Sequence, residues 1–234
     1  MKGFSQKKGI EFEDIFSPMV KMSSIRVVLG LDTSMNLEIK QLNVKTVFLH
    51  GDLDEEIYME QPEGFTIKGK EHLVCRLKKS LYGLKQALRQ WYKKFDSFMV
   101  EHGYDRTASD HCVFVNKFSN GEFIILLLYV DDMLIVGCDT SKIDKLKNEL
   151  SKSFEMKDLG STSQILSIKI SQDRTYRKLW LSQESYIEKV LDKFNMGKAK
   201  LVSSPLGSHL KLSSKQSPSS EKKNVKDALC ISCG

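Results

Sequence analysis

The feature that most constrains this chain is a pair of adjacent aspartates between two apolar runs. Asp131 and Asp132 separate residues 123–128 from residues 133–137. Two short apolar runs around a polar turn predict a strand, a tight turn and a second strand. Because neither run alternates with polar residues, we expect centre strands of a sheet that is covered on both faces.

The two carboxylates leave two interpretations open. Adjacent carboxylates at the edge of a core repel each other and resist desolvation. They either face water in a solvated hairpin or hold a divalent cation, since hard oxygen ligands suit magnesium. For an isolated Asp-Asp turn the solvated hairpin is the commoner arrangement, so a metal site needs support from the rest of the chain.

The composition is that of a soluble globular protein. The 234 residues are 41% hydrophobic and 28% charged, as is usual for such proteins. No apolar run is long enough to span a membrane, and the first residues lack the apolar centre of a signal peptide, so we expect no membrane partner. The five cysteines are odd in number and mostly far apart, which predicts reduced thiols in an intracellular protein.

The charges are unevenly distributed along the sequence. The formal net charge is +6, and residues 197–234 carry seven lysines against two acidic residues. Residues 51–63 contain six acidic residues and no basic one, whereas residues 68–94 contain nine basic residues against Glu71 alone. The basic block is a candidate phosphate-binding surface. The alternative is a solvated helix face followed by a turn.

The pattern of apolar residues predicts four helices and a series of short strands. We expect caps at Ser23 or Ser24, at Thr140 or Ser141 and at Ser182 for three of these helices, and the fourth follows the apolar stripe from Leu88 to Met99 and ends before Gly103. In the helix from Ser182 we expect Tyr186, Ile187, Val190, Leu191 and Phe194 to face inward. Expected strands are 39–49, 56–60, 72–77, 112–115, 123–128, 133–137, 163–170 and 178–181. Strands paired through hairpins with helices between them predict an α+β fold with a mostly antiparallel sheet.

Three stretches carry a specific family resemblance. They are residues 44–53 continued by 57–65, residues 77–87 closed by 89–92, and residues 128–134, which read LYVDDML. Together they resemble the reverse transcriptase domain of copia-type retrotransposons, particularly those of plants. The likeness covers roughly residues 2–206, in order and nearly without gaps.

This resemblance implies a fold and a division into segments. The fold is a right-hand polymerase palm, an antiparallel sheet with helices packed on one face, with partial fingers and the start of a thumb. Residues 1–160 then form partial fingers and palm, residues 161–206 the primer grip and a thumb-like segment, and residues 207–234 a disordered, divergent tail. We expect a truncated copy of a Pol polyprotein fragment, without the ribonuclease H and integrase parts.

The resemblance also implies an activity and its cofactors. The family joins a primer 3′-hydroxyl to the α-phosphate of a deoxynucleotide on an RNA or DNA template. Two Mg²⁺ (or Mn²⁺) ions, ~3.5–4 Å apart, clamp the attacking and leaving oxygens. By resemblance Asp131, Asp132 and the backbone carbonyl of Val44 are metal ligands. The family's first palm aspartate falls on Asn43.

Further roles follow from the same resemblance. Phe48 corresponds to the aromatic residue that packs under the incoming sugar. The residues expected to face the nucleotide or template are Tyr82, Gly83, Gln86 and Tyr129. The residues expected to form the primer grip are Leu166, Ser167 and Ile168.

Several positions depart from the family pattern. Asn43 offers an amide in place of a carboxylate, and losing one such ligand plausibly costs ~4 kcal/mol, about a thousandfold in rate. Ser167 stands where the family has glycine, Leu88 where it has proline, and Asp32 where it has a small apolar residue. Three hypotheses remain: a catalytically impaired polymerase, a polymerase that works with Asn43, and a non-catalytic nucleic-acid-binding remnant. Localisation stays open between a cytoplasmic particle and the nucleus.

Overall fold

The structure is a computed structural model that describes residues 5–200. Within that range the helices are α1 (Met22–Met35), α2 (Val47–His50), α3 (Ala87–Glu101), α4 (Thr140–Ser153) and α5 (Glu184–Lys193). The strands are β1 (Glu38–Val44), β2 (Tyr58–Glu60), β3 (Val74–Arg76), β4 (Asp105–Arg106), β5 (Val113–Lys117), β6 (Phe123–Tyr129), β7 (Asp132–Gly137), β8 (Met156–Ser161), β9 (Gln164–Ile165), β10 (Ile168–Asp173) and β11 (Lys178–Ser182). These strands pair antiparallel, which confirms a mixed fold of helices and antiparallel sheet.

The strands are arranged in three sheets. The largest has six strands in the order β4-β5-β6-β7-β1-β8, and two smaller sheets have the orders β11-β10-β9 and β2-β3. Residues 124–128 of β6 and 133–137 of β7 are all buried. Because successive side chains point to opposite faces of a strand, both faces of these two strands are covered. The uninterrupted apolar runs predicted this burial correctly.

Helix α3 supplies the aromatic part of the core. Its buried aromatic residues and methionine, Trp91, Tyr92, Phe95, Phe98 and Met99, confirm the predicted apolar stripe. The helix is followed by Gly103, whose φ of +79° favours glycine. The Tyr104 N–H then donates to the Met99 carbonyl at 3.0 Å. The predicted position of Gly103 just beyond the helix is therefore confirmed.

The predicted strand 39–49 is wrong in its second half. Strand β1 ends at Val44, and residues 47–50 form the short helix α2. Thr46 has a φ of +50°, which reverses the chain, and the Leu49 N–H donates back to the Thr46 carbonyl at 2.8 Å. A run such as Thr-Val-Phe-Leu fits a strand or a helix equally well by periodicity alone.

Two predicted helix caps are also corrected. Helix α1 begins at Met22, and the Ser24 hydroxyl donates to Asp110 on a distant segment at 2.6 Å instead of capping the helix. The cap of α4 is Asp139, whose carboxylate accepts from the Ser141 N–H at 2.8 Å. Aspartate satisfies the first free N–H groups of a helix as well as serine or threonine does.

The predicted strand 163–170 is divided by a turn. Leu166 and Ser167 have φ values of +49° and +64°, so the chain reverses between β9 and β10. Strand β8, which forms the outer edge of the large sheet beside β1, was not predicted. Its sequence, MKDLGS, is polar and mostly exposed, so it shows no apolar alternation.

Asp32 is buried although it is charged. It lies on the inner stripe of α1 at 0% exposure, and its Oδ2 accepts from Gln172 Nε2 at 2.8 Å. Its Oδ1 has no hydrogen-bond partner among the described residues. Burial raises the pKa of this carboxyl above its usual 3.8, against the opposing effect of nearby Arg174. Asp32 is therefore a polar defect on the buried face of α1, which also contains Ile25, Val28 and Leu29.

The last helix differs from its prediction. Ser182 Oγ accepts from the Glu184 N–H at 3.3 Å, as expected of a cap. None of the residues of α5 is buried, however, so the expectation that Tyr186, Ile187, Val190, Leu191 and Phe194 face inward is wrong. Described residues up to Glu184 belong to one compact unit and those from Ser185 to a second. The predicted tail 207–234 lies outside the described residues.

No helix in the described range is both long enough and apolar enough to cross a membrane.

Candidate active site

Strands β1, β6 and β7 bring three polar side chains together. Asn43 near the end of β1 pairs with Asp132 at the start of β7, and Tyr129 at the end of β6 also pairs with Asp132. Val130 and Asp131 form the turn between β6 and β7. The apolar strands are buried, so the polar turn is placed at the edge of the core, where Asn43, Asp131 and Asp132 are all half-buried.

The Asn43 amide bridges the two carboxylates. Its Nδ2 donates to Asp131 Oδ2 at 3.0 Å and to Asp132 Oδ1 at 2.9 Å. An amide nitrogen carries two hydrogens, so a single group satisfies both acceptors. These hydrogen bonds offset the repulsion between the adjacent carboxylates.

The turn itself is held by two hydrogen bonds to its backbone. Val130 has a φ of +56°, a conformation that β-branched residues rarely adopt. The Val130 carbonyl accepts from Trp91 Nε1 at 2.7 Å. The Asp131 carbonyl accepts from the Val44 N–H at 2.8 Å. Val44, expected from the resemblance to offer its carbonyl to a metal, thus also fixes the turn through its N–H.

The centre offers a cation two carboxylates and one amide. Among the described residues no group of three or more histidine, cysteine, aspartate or glutamate side chains is arranged to hold a metal. Asp131 and Asp132 suit a hard divalent cation, but Asn43 presents N–H groups to them. The donor set fits such an ion once the amide rotates and presents Oδ1.

Phe48 and Tyr82 are brought together. Their rings meet edge to face with 5.0 Å between centroids. Tyr82 is exposed, and the following Gly83 has a φ of +92°, which forms the tight turn before α3. Phe48 therefore contacts the turn that contains Tyr82 and Gly83, and the expected role of these three residues toward a nucleotide stays a prediction.

Gln86, which is expected to face the nucleotide or template together with Tyr82, does not lie on the surface as Tyr82 does. Its side chain is fully buried. Its Oε1 accepts from Gln6 Nε2 at 3.2 Å, and its Nε2 donates to the Glu11 carbonyl at 2.9 Å. These bonds attach the start of the described chain to the turn before α3. Gln86 therefore acts as an internal support in this structure, and its expected role toward a nucleotide stays a prediction.

A cavity of about 540 Å³ connects Asp132 with the β9–β10 turn. Its lining includes Asp132, Leu166, Ser167 and Gln41. Ile168, the third expected grip residue, is buried at the start of β10 and does not line it. Two of the three expected grip residues therefore share a cavity with one of the two aspartates.

Residues 1–208 match the family model described as reverse transcriptase (RNA-dependent DNA polymerase). The chain belongs to this reverse transcriptase family. The retrovirus-related Pol polyprotein from transposon TNT 1-94 of Nicotiana tabacum is 65% identical over 227 residues, which is 96% of this chain and 17% of that protein. The resemblance to copia-type reverse transcriptases is thereby confirmed.

The comparisons at lower identity are with a second Pol polyprotein and with one solved structure. The retrovirus-related Pol polyprotein from transposon RE1 of Arabidopsis thaliana is 39% identical over 91% of this chain and 14% of its own length. A solved structure, apo telomerase from Candida Tropicalis truncated from its C-terminal domain, has a TM-score of 0.36 and 10% identity over 69% of this chain and 40% of its own. The chain thus spans less than a fifth of the length of these two curated Pol polyproteins.

In this reverse transcriptase domain the acidic segment, residues 51–63, forms ion pairs with the basic block, residues 68–94. Lys79 and Lys94 both contact Asp52, at 2.5 and 2.7 Å, and Lys93 contacts Asp54 at 3.0 Å. Hydrogen bonds from Lys79 and then Lys94 lower the pKa of Asp52 below its usual 3.8. Much of the positive charge of the basic block is therefore offset by the acidic segment before it, which sequence position alone did not indicate.

Two residues near the reverse transcriptase centre were not identified from the sequence. Trp91 was assigned only to the core, although its indole N–H reaches the Asp-Asp turn. Gln41 is a buried polar residue two positions before Asn43 on β1. Alternate residues of a strand point to the same face, so Gln41 and Asn43 share one face of β1. This spacing could have identified Gln41 from the sequence. No sequence signal indicated the contact made by Trp91.

Proposed function

We propose that this chain is the palm of an RNA-directed DNA polymerase, with part of the fingers before it and the primer grip after it. The observation that carries the proposal is the convergence of Asn43, Asp131 and Asp132 at the end of a buried antiparallel sheet. Membership of the reverse transcriptase family supports the same reaction. The reaction extends a primer 3′-hydroxyl with a deoxynucleotide on an RNA or DNA template.

The proposed roles follow the geometry. When bound, two divalent ions stabilise the charge on the attacking and leaving oxygens. Asp131 and Asp132 would hold those ions, with the Val44 carbonyl as a further ligand. Phe48 and Tyr82 form the aromatic surface against which the nucleotide packs, with Gly83 in the same turn. Leu166 and Ser167 face the cavity at Asp132 and position the primer end.

We propose further that Asn43 impairs this copy. The amide supplies no negative charge, and it donates to both carboxylates that an ion requires. An ion held by Asp131 and Asp132 would displace both hydrogen bonds, and Asn43 could offer it Oδ1 only after the amide has rotated. Each such bond contributes about 1 kcal/mol or more, since its acceptors are charged. This cost adds to the loss of a third carboxylate.

A second candidate function is nucleic-acid binding without chemistry. Asn43 donates to both carboxylates, and basic side chains such as Lys68, Lys70 and Lys78 are exposed, where they can contact phosphates without a metal. A salt-dependent affinity without nucleotide incorporation favours this alternative.

Primer extension on an RNA template tests the proposal. The variants are Asn43→Asp and Asn43→Asp combined with Asp131→Asn, and Asn148→Asp on the exposed face of α4 is the charge-matched control. We expect extension by Asn43→Asp, loss of that extension when Asp131 is also replaced, and no gain from Asn148→Asp. Failure of a folded Asn43→Asp chain to extend any primer contradicts the polymerase proposal.

A further inference from the structure

The turn that carries the two aspartates has a strained backbone. Val130 has a φ of +56°. In this left-handed region the Cβ of an L-residue approaches backbone oxygen, and a second branch at Cβ restricts the side chain further. Such a conformation persists only where the surrounding structure holds it.

Two neighbouring elements hold two consecutive carbonyls of this turn. Trp91 Nε1 on α3 donates to the Val130 carbonyl at 2.7 Å, and the Val44 N–H at the end of β1 donates to the Asp131 carbonyl at 2.8 Å. The first carbonyl belongs to the peptide unit that connects Val130 to Asp131, and the second to the unit that leads to Asp132. The direction of both carboxylates therefore depends on these contacts.

The indole of Trp91 is fixed in its surroundings. The residue is fully buried. Its ring lies 5.4 Å from that of Phe95 and 5.2 Å from that of Phe154, with His50 at 5.8 Å. An indole has a single polar hydrogen, so a ring clamped between other aromatics points that hydrogen in one direction. Phenylalanine would supply apolar packing at this position but could not donate to Val130.

We infer that Trp91 is a positioning residue for the aspartate pair: its indole N–H keeps Val130 in the left-handed conformation and so aims Asp131 and Asp132. The inference rests on the proposed role of these carboxylates in holding divalent ions. It predicts that Trp91 and Val130 are energetically coupled, because a residue that adopts the left-handed conformation without strain needs less restraint. Glycine is such a residue.

The test is a double-mutant cycle in the Asn43→Asp background. Trp91→Phe removes the N–H and keeps an aromatic ring, and Val130→Gly removes the strain. The first measurement is the affinity for Mn²⁺. The electron paramagnetic resonance signal of the free ion reports how much Mn²⁺ is unbound. We expect Trp91→Phe to weaken Mn²⁺ binding about tenfold in chains that keep Val130, and about twofold or less in chains that also carry Val130→Gly.

The second measurement is single-nucleotide incorporation by the same four chains. We expect Trp91→Phe to lower kcat about tenfold while the KM for the nucleotide changes by less than about twofold, because the aim of the carboxylates matters most in the transition state. Val130→Gly should restore kcat in the Trp91→Phe chain. A residue that acts by core packing alone would give the same loss whether valine or glycine stands at position 130.

Phe114→Leu is the packing control. Phe114 is fully buried, and its ring packs against Phe95, with 5.7 Å between centroids, rather than against Trp91. We expect this change to lower the unfolding temperature without changing Mn²⁺ affinity or kcat by more than about twofold. An equal effect of Phe114→Leu and Trp91→Phe on Mn²⁺ affinity overturns the positioning role.

The outcomes separate the inference from the function on which it rests. An Asn43→Asp chain that neither binds Mn²⁺ nor extends a primer contradicts the proposed function and removes the basis of the inference. Mn²⁺ binding that is insensitive to Trp91→Phe, or that falls equally with and without Val130→Gly, contradicts the positioning role alone. A loss of Mn²⁺ affinity on Trp91→Phe that occurs with valine but not with glycine at position 130 supports the positioning role, whatever the polymerase rate.

Discussion

Asn43 and Asp132 lie directly opposite each other on β1 and β7, and Asn43 Nδ2 donates to Asp132 Oδ1 at 2.9 Å. The same nitrogen donates to Asp131 Oδ2 at 3.0 Å. The amide therefore occupies the position between two carboxylates where a cation is expected to bind. We interpret Asn43 as a neutral substitute that stabilises the pair without metal.

The first prediction concerns metal-dependent stability. Asn43→Asp replaces two hydrogen bonds by a third carboxylate, so in the presence of a chelator we expect the free energy of unfolding to fall by about 2 kcal/mol. Added Mg²⁺ should reverse the loss, by about 2.7 kcal/mol at a hundredfold excess over its Kd. Thermal unfolding with and without Mg²⁺ measures both effects.

The parent chain and Asn148→Asp are the controls for that measurement. Asn148 is exposed on α4, so its replacement adds the same charge away from the centre. Neither chain should gain appreciable stability from Mg²⁺. Equal gains in all three chains would mean that the ion acts on the surface rather than at the aspartate pair.

A second prediction concerns Asp32. Burial raises the pKa of its carboxyl above 3.8. An acid whose pKa is raised by folding binds more protons in the folded state, so its contribution to stability falls as the pH rises through the folded pKa. We expect Asp32→Ala to raise the free energy of unfolding by about 1 kcal/mol at pH 8, with a smaller gain as the pH falls toward 3.8.

Urea unfolding of both chains at about pH 8 and at successively lower pH values measures how this difference shrinks. Asp105→Ala, on the exposed strand β4, is the control and should show no comparable gain. Lower stability of the Asp32→Ala chain at the higher pH would show that the bond to Gln172 outweighs the cost of burying the carboxylate.

The third prediction concerns the turn between β9 and β10. Ser167 has a φ of +64°, and the resemblance described above places it where glycine is expected. Glycine adopts this conformation without the penalty of a Cβ, so we expect Ser167→Gly to stabilise the chain by about 0.5–1 kcal/mol. Ser171→Gly, in the extended strand β10, should destabilise it. Thermal unfolding of the two variants compares them, and the same sign for both would contradict the strain argument.

The fourth prediction concerns nucleic-acid affinity. Asp52 pairs with both Lys79 and Lys94, so Asp52→Asn should free two lysines for phosphate contacts. We expect tighter binding of a primer–template duplex and a steeper salt dependence, by about one to two units in the slope of log K against log salt. Fluorescence anisotropy at several salt concentrations gives the slope. Asp105→Asn changes the net charge equally, and a matching effect there would show that only net charge matters.

The parts of the fold that the sequence predicted are those with strong periodicity. The runs around Asp131 and Asp132 contain no polar interruption, and the apolar stripe of α3 continues along the whole helix, so burial alone determines both. The convergence of Asn43 with the aspartates came from family resemblance, because periodicity does not specify which strands become neighbours.

The parts that the sequence did not predict depend on tertiary contacts. Strand β8 is polar and pairs with β1 through its backbone, so its side chains carry no signal. The helix α2 follows from the reversed backbone at Thr46. The Trp91 indole contacts Val130 across 39 residues of sequence, and an aromatic residue on an apolar helix face gives no indication of such a bond.

The most direct test of the proposed impairment by Asn43 is the rate of primer extension by the parent chain and by Asn43→Asp, measured side by side with Mg²⁺ on an RNA template. We predict that Asn43→Asp extends at least about a thousandfold faster, because the third carboxylate restores the metal centre and removes the amide bridge. Equal extension by the two folded chains would show that Asn43 does not limit this active site.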